Sequence, residues 1–276
     1  MNILFFIVLI LLIIFLLLCA VFLYMIKPRK RRDTSYFEGK MYAHRGLHDD
    51  TVPENSLTAF KLAKEGGYGV ELDVQMTKDG QLVVFHDGNL KRMCGHDGFI
   101  KDFTYEELLS FSLKDTDEKI PLFSSVLEVL GETDIICEIK PDNGNKCYTL
   151  CEKTMDMLKT YPGKYCIESF SPYLVAWVKD RYPEIIRGQL SENFVKHYGF
   201  NFVNFALTHL LVNVVSRPDF VAYNHHDDRT FGYRICRVLF KPFLVAWTAK
   251  GEKEQEYAKN HFEAVIFEKN PPKEDL

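Results

Sequence analysis

Val70-Glu71-Leu72-Asp73-Val74-Gln75, then Thr77-Lys78-Asp79-Gly80, then Leu82-Val83-Val84-Phe85-His86 is the stretch that decides how this chain folds. Strand side chains repeat every two residues, so Glu71 and Asp73 share one face. Asp-Gly between two alternating apolar runs signals a hairpin. With Asp79 and Gly80 as the two turn residues, Lys78 pairs with Gln81 and Asp73 falls opposite His86. The hairpin then carries a histidine to the carboxylates 13 and 15 residues upstream. A one-residue bulge would shift that register.

Outside the hairpin, apolar or β-rich runs near 41–43, 69–75, 134–139, 165–170, 185–189, 219–223, 243–248 and 264–267 read as strands. Helix-like segments lie between them at 56–66, 122–131, 145–160, 172–181, 208–216 and 252–261. Such alternation implies parallel pairing through right-handed crossovers. Eight strands within 41–276 predict an α/β fold, a (β/α)8 TIM barrel of the usual size. A doubly wound open sheet is the alternative, but no G-x-G-x-x-G or G-x-x-x-x-G-K-[ST] element supports it. Residues 88–120 are polar and turn-rich, with Gly88, Gly95 and Gly98, and predict a small insertion after the second strand region.

Ile3 to Ile26 is uninterrupted apolar sequence. As a helix it would be about 36 Å long, enough to cross a hydrocarbon core of ~30 Å. A cleaved signal peptide is the competitor, but it normally has a basic start and a small-residue cleavage site, whereas this run begins Met1-Asn2. Residues 1–26 are therefore read as one N-terminal transmembrane anchor and 27–40 as a basic juxtamembrane linker. Lys27-Pro28-Arg29-Lys30-Arg31-Arg32 reads as a charged stop that touches anionic headgroups. The positive-inside rule makes the chain a single-pass membrane protein with its catalytic domain in the cytoplasm.

The net charge is −4, of which that cluster supplies +5, leaving −9 on the rest. A domain so charged does not track a polyanion, so no nucleic-acid partner is expected. Any phosphate must be recognised locally, by a metal, an arginine or a lysine. The seven cysteines form no C-x-x-C pair and no disulfide spacing. Cys147 and Cys151 would be one helical turn apart, but two thiols alone seldom make a metal site.

Candidate functional groups sit at the ends of the apolar runs. They are His44 and Arg45 before Gly46, Glu54 in Pro53-Glu54-Asn55-Ser56, Glu71 and Asp73, His86, and Glu138 with Lys140. Three carboxylates meeting in one place repel each other unless a divalent cation sits among them. Two histidines beside such a cation suit general acid–base work on a phosphate ester. Which histidine is base and which acid stays open at this level. Phe170 and Trp247 end later strands and offer aromatic faces, to substrate carbons or to the core. Asn224-His225-His226-Asp227-Asp228 follows a strand and reads as a polar rim loop, with a second metal site as the alternative. His48 is a candidate for lining the mouth.

As an ordered set these motifs resemble the glycerophosphodiester phosphodiesterases. The matching pieces are His44-Arg45-Gly46, Pro53-Glu54-Asn55-Ser56, Glu71-Leu72-Asp73, Thr77 to Asp87 and Glu138-Ile139-Lys140. Ile120-Pro121-Leu122-Phe123 and Val245-Ala246-Trp247-Thr248 match weaker features. Ser56 stands where the family usually has threonine, and 190–240 is only loosely similar. The resemblance implies a TIM barrel with one divalent metal, Ca2+ or Mg2+, with Mn2+ a further option. It implies that Glu71, Asp73 and Glu138 hold the metal, that His44 is the base and His86 the acid, and that Arg45 and Lys140 touch the phosphate. Glu54 would help shape the site around His44. The attacking group is either the glycerol 2-hydroxyl, giving a cyclic phosphate, or water.

The expected activity is hydrolysis of glycerophosphodiesters to glycerol 3-phosphate and an alcohol. Two alternatives stand beside it. One keeps the chemistry but takes a lysophospholipid or phospholipid headgroup, which exposed apolar loops such as Phe194-Val195 or Phe200-Asn201-Phe202 would favour. The other is a non-catalytic membrane-tethered barrel, which usually lacks a ligand or a histidine that this chain retains.

Overall fold

In the computed structural model, which describes residues 3–29, 33–141, 148–269 and 271, eight parallel strands close into a ring. The strands are β1 (Met41–His44), β2 (Gly69–Met76), β3 (Leu82–Val84), β4 (Ile135–Ile139), β5 (Tyr165–Ser169), β6 (Arg187–Ser191), β7 (Phe220–Asn224), β8 (Phe243–Lys250) and β9 (Ala264–Glu268). All but β3 lie parallel to their neighbours, and pairing of β1 with β2 shuts the barrel. The expected TIM barrel and all eight of its strands are present.

Period-two alternation sorts the side chains. Val70, Leu72 and Val74 of β2 face outward and pack with Phe60 and Ala63 of helix Leu57–Glu65. Such fully buried branched side chains each stabilise the fold by roughly 1.5–3 kcal/mol relative to exposure. Residues of the other parity fill the lumen. Toward the strand N-termini these are Tyr42, Ile136, Cys166, Phe220 and Phe243, an apolar plug that Phe37 of the preceding turn extends. At the end of the barrel opposite the mouth, Arg187 at the start of β6 and Asp219 just before β7 form a fully buried ion pair at 3.2 Å.

The helices largely follow expectation. Ser56 caps Leu57–Glu65, accepting from the Ala59 N–H at 3.1 Å. The single helix expected over 208–216 is instead two, Phe202–Thr208 and Asn213–Ser216, because Leu210 takes a left-handed φ of 60°. Helix Phe231–Phe240 was not foreseen, since its glycine, aromatic and β-branched residues carry weak helix propensity. The insertion after β3 has short helices Lys91–Cys94 and Tyr105–Leu108 and its own apolar core of Val83, Phe85, Leu90, Met93 and Ile100. Cys147 and Lys30 to Arg32, the bulk of the basic cluster, lie outside the described residues.

The hairpin differs from its expected register by one residue. Val74 pairs with Val84 and Met76 with Leu82, so Asp73 lies opposite Phe85 rather than His86. The turn holds three residues, Lys78, Asp79 and Gly80, and Gly80 supplies a positive φ of 79°. Three-residue hairpins with a left-handed glycine bulge in this way. His86 leaves the strand one step later and still reaches the mouth of the barrel.

Among the described residues one helix is long and apolar enough to cross a membrane, Ile3–Ile26, with a mean hydropathy of 3.7 over an 18-residue window. Its final turns pack on the barrel, where Ile26 is fully buried and its carbonyl accepts from Asn213 Nδ2 at 2.8 Å.

Candidate active site

Parallel register brings the ionisable groups to a common level. His44 is level with Glu71, and Asp73, Glu138 and Glu168 occupy one rung across β2, β4 and β5. His44, Glu71, Glu138 and Glu168 line a cavity of about 450 Å³ at the C-terminal face, together with His86, Trp247 and Glu268, and Asp73 is fully buried beside Glu71 and Glu138. Barrels place their active sites at this face because the strand-to-helix loops converge there.

The acidic centre consists of Glu71, Asp73 and Glu138, each buried and each offering an oxygen within 4.8 Å of the others. Burial raises Glu71 well above the usual carboxylate range, and Asp73 and Glu138 raise it further. Burial also tends to raise Asp73, but Lys140, His86 and Arg45 outweigh it and hold Asp73 ionised. Lys140 Nζ lies 3.0 Å from Asp73 Oδ1 and 2.7 Å from Glu138 Oε2. Asn55 Nδ2 donates to Asp73 Oδ2 at 2.9 Å. Among the described residues, Glu138 Oε1 and Glu168 Oε2 are buried oxygens without a hydrogen-bond partner. An all-oxygen donor set with unpartnered carboxylate atoms fits a hard divalent cation.

Each histidine has a carboxylate behind it. His44 Nδ1 faces Glu268 Oε2 at 3.1 Å, and its Nε2 points to the acidic centre, 3.9 Å from Glu71 Oε2. Burial, then Arg45, pushes His44 down to about 4 despite Glu268, so the ring is neutral at pH 7. His86 Nδ1 lies 2.8 Å from Asp87 Oδ1.

Arg45 sits on a left-handed corner, φ 56°, before Gly46 at φ 78°. Its backbone N–H donates to Glu71 Oε2 at 3.1 Å and its guanidinium to Glu54 Oε1 at 2.6 Å. A Cβ on Gly46 would stand 2.8 Å from the Ala59 carbonyl carbon. Gly46→Ala should therefore destabilise the protein by about 1–3 kcal/mol through backbone strain, with the close contact adding to it. Urea denaturation checks this, and an unchanged midpoint refutes it.

Glu54 bonds to two arginines rather than to His44. Arg92 of the insertion donates to it from both terminal nitrogens, at 2.9 and 2.6 Å, and also clasps Asp87 from Nε at 2.6 Å. Burial would raise Glu54, yet Arg92 and Arg45 bring it down from 4.5 to about 2. A carboxyl depressed on folding stabilises the native state above its unfolded value, and that stabilisation disappears as pH falls through the folded one. The stability difference between wild type and Glu54→Gln should thus shrink between about pH 5 and pH 2. Denaturation midpoints across that window measure it; a gap that is constant with pH counts against the pairing.

Phe170 and Trp247 form the aromatic wall, edge to face with centroids 5.5 Å apart, and Lys140 Nζ lies 6.0 Å from the Phe170 ring centre. Of the histidine-rich segment, Asn224 and His226 line the cavity. His225 is held against the Trp247 carbonyl at 3.2 Å, and Asp227 is taken up by Lys196 and His197. Those contacts suit the polar-loop reading. His48 groups with His44 and Glu268 beside the mouth.

Three members escaped the sequence reading, and one of them is Arg92 of the insertion. Glu168 is a buried carboxylate beside Glu71, Asp73 and Glu138, raised by burial and then by Glu138, and Glu268 is the partner of His44. The signal was alternation: Glu168 follows Cys166, and Glu268 follows Ile266, each pair facing the lumen.

The barrel has known counterparts. A phosphodiesterase of Oleispira antarctica, solved in complex with the product sn-glycerol-3-phosphate, superposes with a TM-score of 0.69 at 23% identity, covering 84% of this chain and 94% of that one. In sequence, a glycerophosphodiester phosphodiesterase of Caldanaerobacter subterraneus is 40% identical over 158 residues, which is 54% of this chain and 65% of that protein. A lysophospholipase D of Homo sapiens is 33% identical over 176 residues, 59% of this chain and 52% of that one. The chain thus spans about half to two thirds of the length of these curated relatives. The sequence pattern of the glycerophosphoryl diester phosphodiesterase family matches residues 44–228, two thirds of the chain, and the chain belongs to that family.

Proposed function

We propose that the protein hydrolyses glycerophosphodiesters to glycerol 3-phosphate and an alcohol, using one divalent ion, Ca2+ or Mg2+, and two histidines. The observation that carries this reading is the grouping of Glu71, Asp73 and Glu138 beside a cavity that His44 and His86 also line. When bound, the ion would offset charge that develops on a non-bridging phosphate oxygen. Glu71, Asp73 and Glu138 would hold it, with Glu168 beside them. Lys140 and Arg45 bring positive charge to the same phosphate.

His44 serves as the base. Its Nδ1–H is donated to Glu268, which leaves the Nε2 lone pair free to take the proton of the attacking oxygen. His86, steadied by Asp87, returns a proton to the departing alkoxide, a poor leaving group without it. Phe170 and Trp247 offer apolar faces to the glycerol carbons.

Residues 1–26 anchor the protein in a membrane and 41–276 form the catalytic domain, on the cytoplasmic side. Protease digestion of intact cells tests that topology, since a barrel cut without lysis contradicts it. A second reading takes a lysophospholipid as substrate. Phe200 and Phe202, 78% and 74% exposed, favour it, whereas Phe194 packs against Phe170. The deciding experiment assays glycerophosphocholine and lysophosphatidylcholine with chelator, then with Ca2+, Mg2+ or Mn2+ restored. Chelator should abolish turnover and Ca2+ or Mg2+ should restore it; full activity in chelator rejects the proposal.

A further inference from the structure

The anchor helix meets the barrel in a defined direction. Phe22 packs against Phe231, centroids 5.7 Å apart, and four residues later the Ile26 carbonyl meets Cys236 Sγ at 3.6 Å. Helix Phe231–Phe240 follows β7 and so descends from the active-site rim, and the end of the anchor runs alongside it in the same sense. The Arg29 N–H then donates to the Pro218 carbonyl at 2.9 Å, just before β7 begins at the opposite end of the barrel. The chain therefore runs downward from Phe22 to Arg29, and Ile3–Val21 projects beyond the active-site rim.

Exposure follows the same division. Ile3 to Leu18 are open to the surroundings, whereas Phe22, Leu23 and Met25 pack on the barrel core and Ile26 is buried. The projecting part, Ile3 to Val21, would be about 28 Å long, close to a hydrocarbon core of ~30 Å. A membrane crossed by that segment lies over the mouth of the barrel.

On the same rim, the connection from β6 to β7 raises a tip that has nothing to cover it among the described residues. Tyr198, Phe200, Phe202 and Val203 are 66%, 78%, 74% and 64% exposed. No charged residue occurs from Tyr198 to Thr208. Contiguous exposed apolar side chains mark an interaction surface, and aromatic residues concentrate at the headgroup level of bilayers. Phe200 and Phe231 line a depression that shares His226 with the active cavity, so the tip, the anchor contact and the site are continuous.

Resting on the reading of Ile3–Ile26 as a membrane span, we propose that the Tyr198–Val203 tip inserts into the surface of the bilayer crossed by that helix. It holds the active-site mouth against the membrane, the position from which the lysophospholipid of the second reading would enter. Val238, 67% exposed at the far end of helix Phe231–Phe240, faces the aqueous side.

The full chain in phosphatidylcholine vesicles tests this. Phe202→Cys and Val238→Cys each receive an environment-sensitive fluorophore, with the labelled unsubstituted chain as background. The probe at 202 should lose most of its emission to doxyl-labelled phosphatidylcholine and little to iodide, and the probe at 238 should do the reverse. Equal iodide quenching at both positions overturns the proposal. Shielding of 202 from iodide without quenching by the labelled lipid also overturns it, because another protein then covers the tip. Release of the chain by alkaline carbonate marks failure of the span itself, and the proposal falls with it. None of these readings depends on turnover, so they stand apart from the assigned activity.

Discussion

His44→Ala should lower kcat by roughly 10²–10⁴-fold, and His86→Ala by a similar factor, because in the proposed roles each removes one positioned proton transfer. The two losses should differ in kind. His86 is assigned to the departing alkoxide, so its loss will matter far less when the leaving group needs no proton, as with a p-nitrophenyl ester. The His44 deficit should persist on that substrate, since the attacking oxygen must still be deprotonated. Glu268→Gln should reproduce part of the His44 loss, because Glu268 fixes the tautomer through its 3.1 Å contact with Nδ1. Wild-type turnover by either alanine variant would show that the roles are wrongly assigned.

Glu71→Gln will separate metal binding from folding, with effects of opposite sign. Without metal, burial, Asp73 and Glu138 all disfavour the Glu71 carboxylate, so the neutral amide should raise Tm. With metal, wild type should gain about 2.7 kcal/mol at a cation concentration one hundred times Kd, and the variant should gain almost none. Calorimetric titration with Ca2+ and Mg2+ gives Kd directly, and thermal melts give the sign. A wild-type melt indifferent to every divalent cation would remove the ion from the mechanism.

Much of the barrel could be read from the chain because its signals are local. Val70 to Val74 and Ile135 to Ile139 alternate between the helix-facing and lumen-facing layers, and Pro172 starts its helix where sequence rules place one. The ordered set from His44 to Lys140 could be read for the same reason, since strand ends fix which side chains reach the mouth. What escaped depends on contacts between distant segments. Glu268 becomes a functional candidate only once β9 lies beside β1 and sets it against His44, 224 residues away. Arg92 sits in a polar insertion whose pattern gives no hint that it would reach back to Glu54. Gly80 shifted the hairpin register because Asp-Gly serves two-residue and three-residue turns alike, and only the tertiary fit selects between them.

The clasp of Arg92 on Glu54 and Asp87 ties three segments into one electrostatic unit: the loop after β1, the hairpin end that carries His86, and the insertion. Their evolutionary drift should consequently be coupled. A lineage that loses the base at position 92 leaves Glu54 buried with one partner fewer, so an acidic residue at 54 and a basic residue at 92 should come and go together among homologues. The insertion, which looks like ornament on the barrel, is then constrained by its grip on the loop after β1.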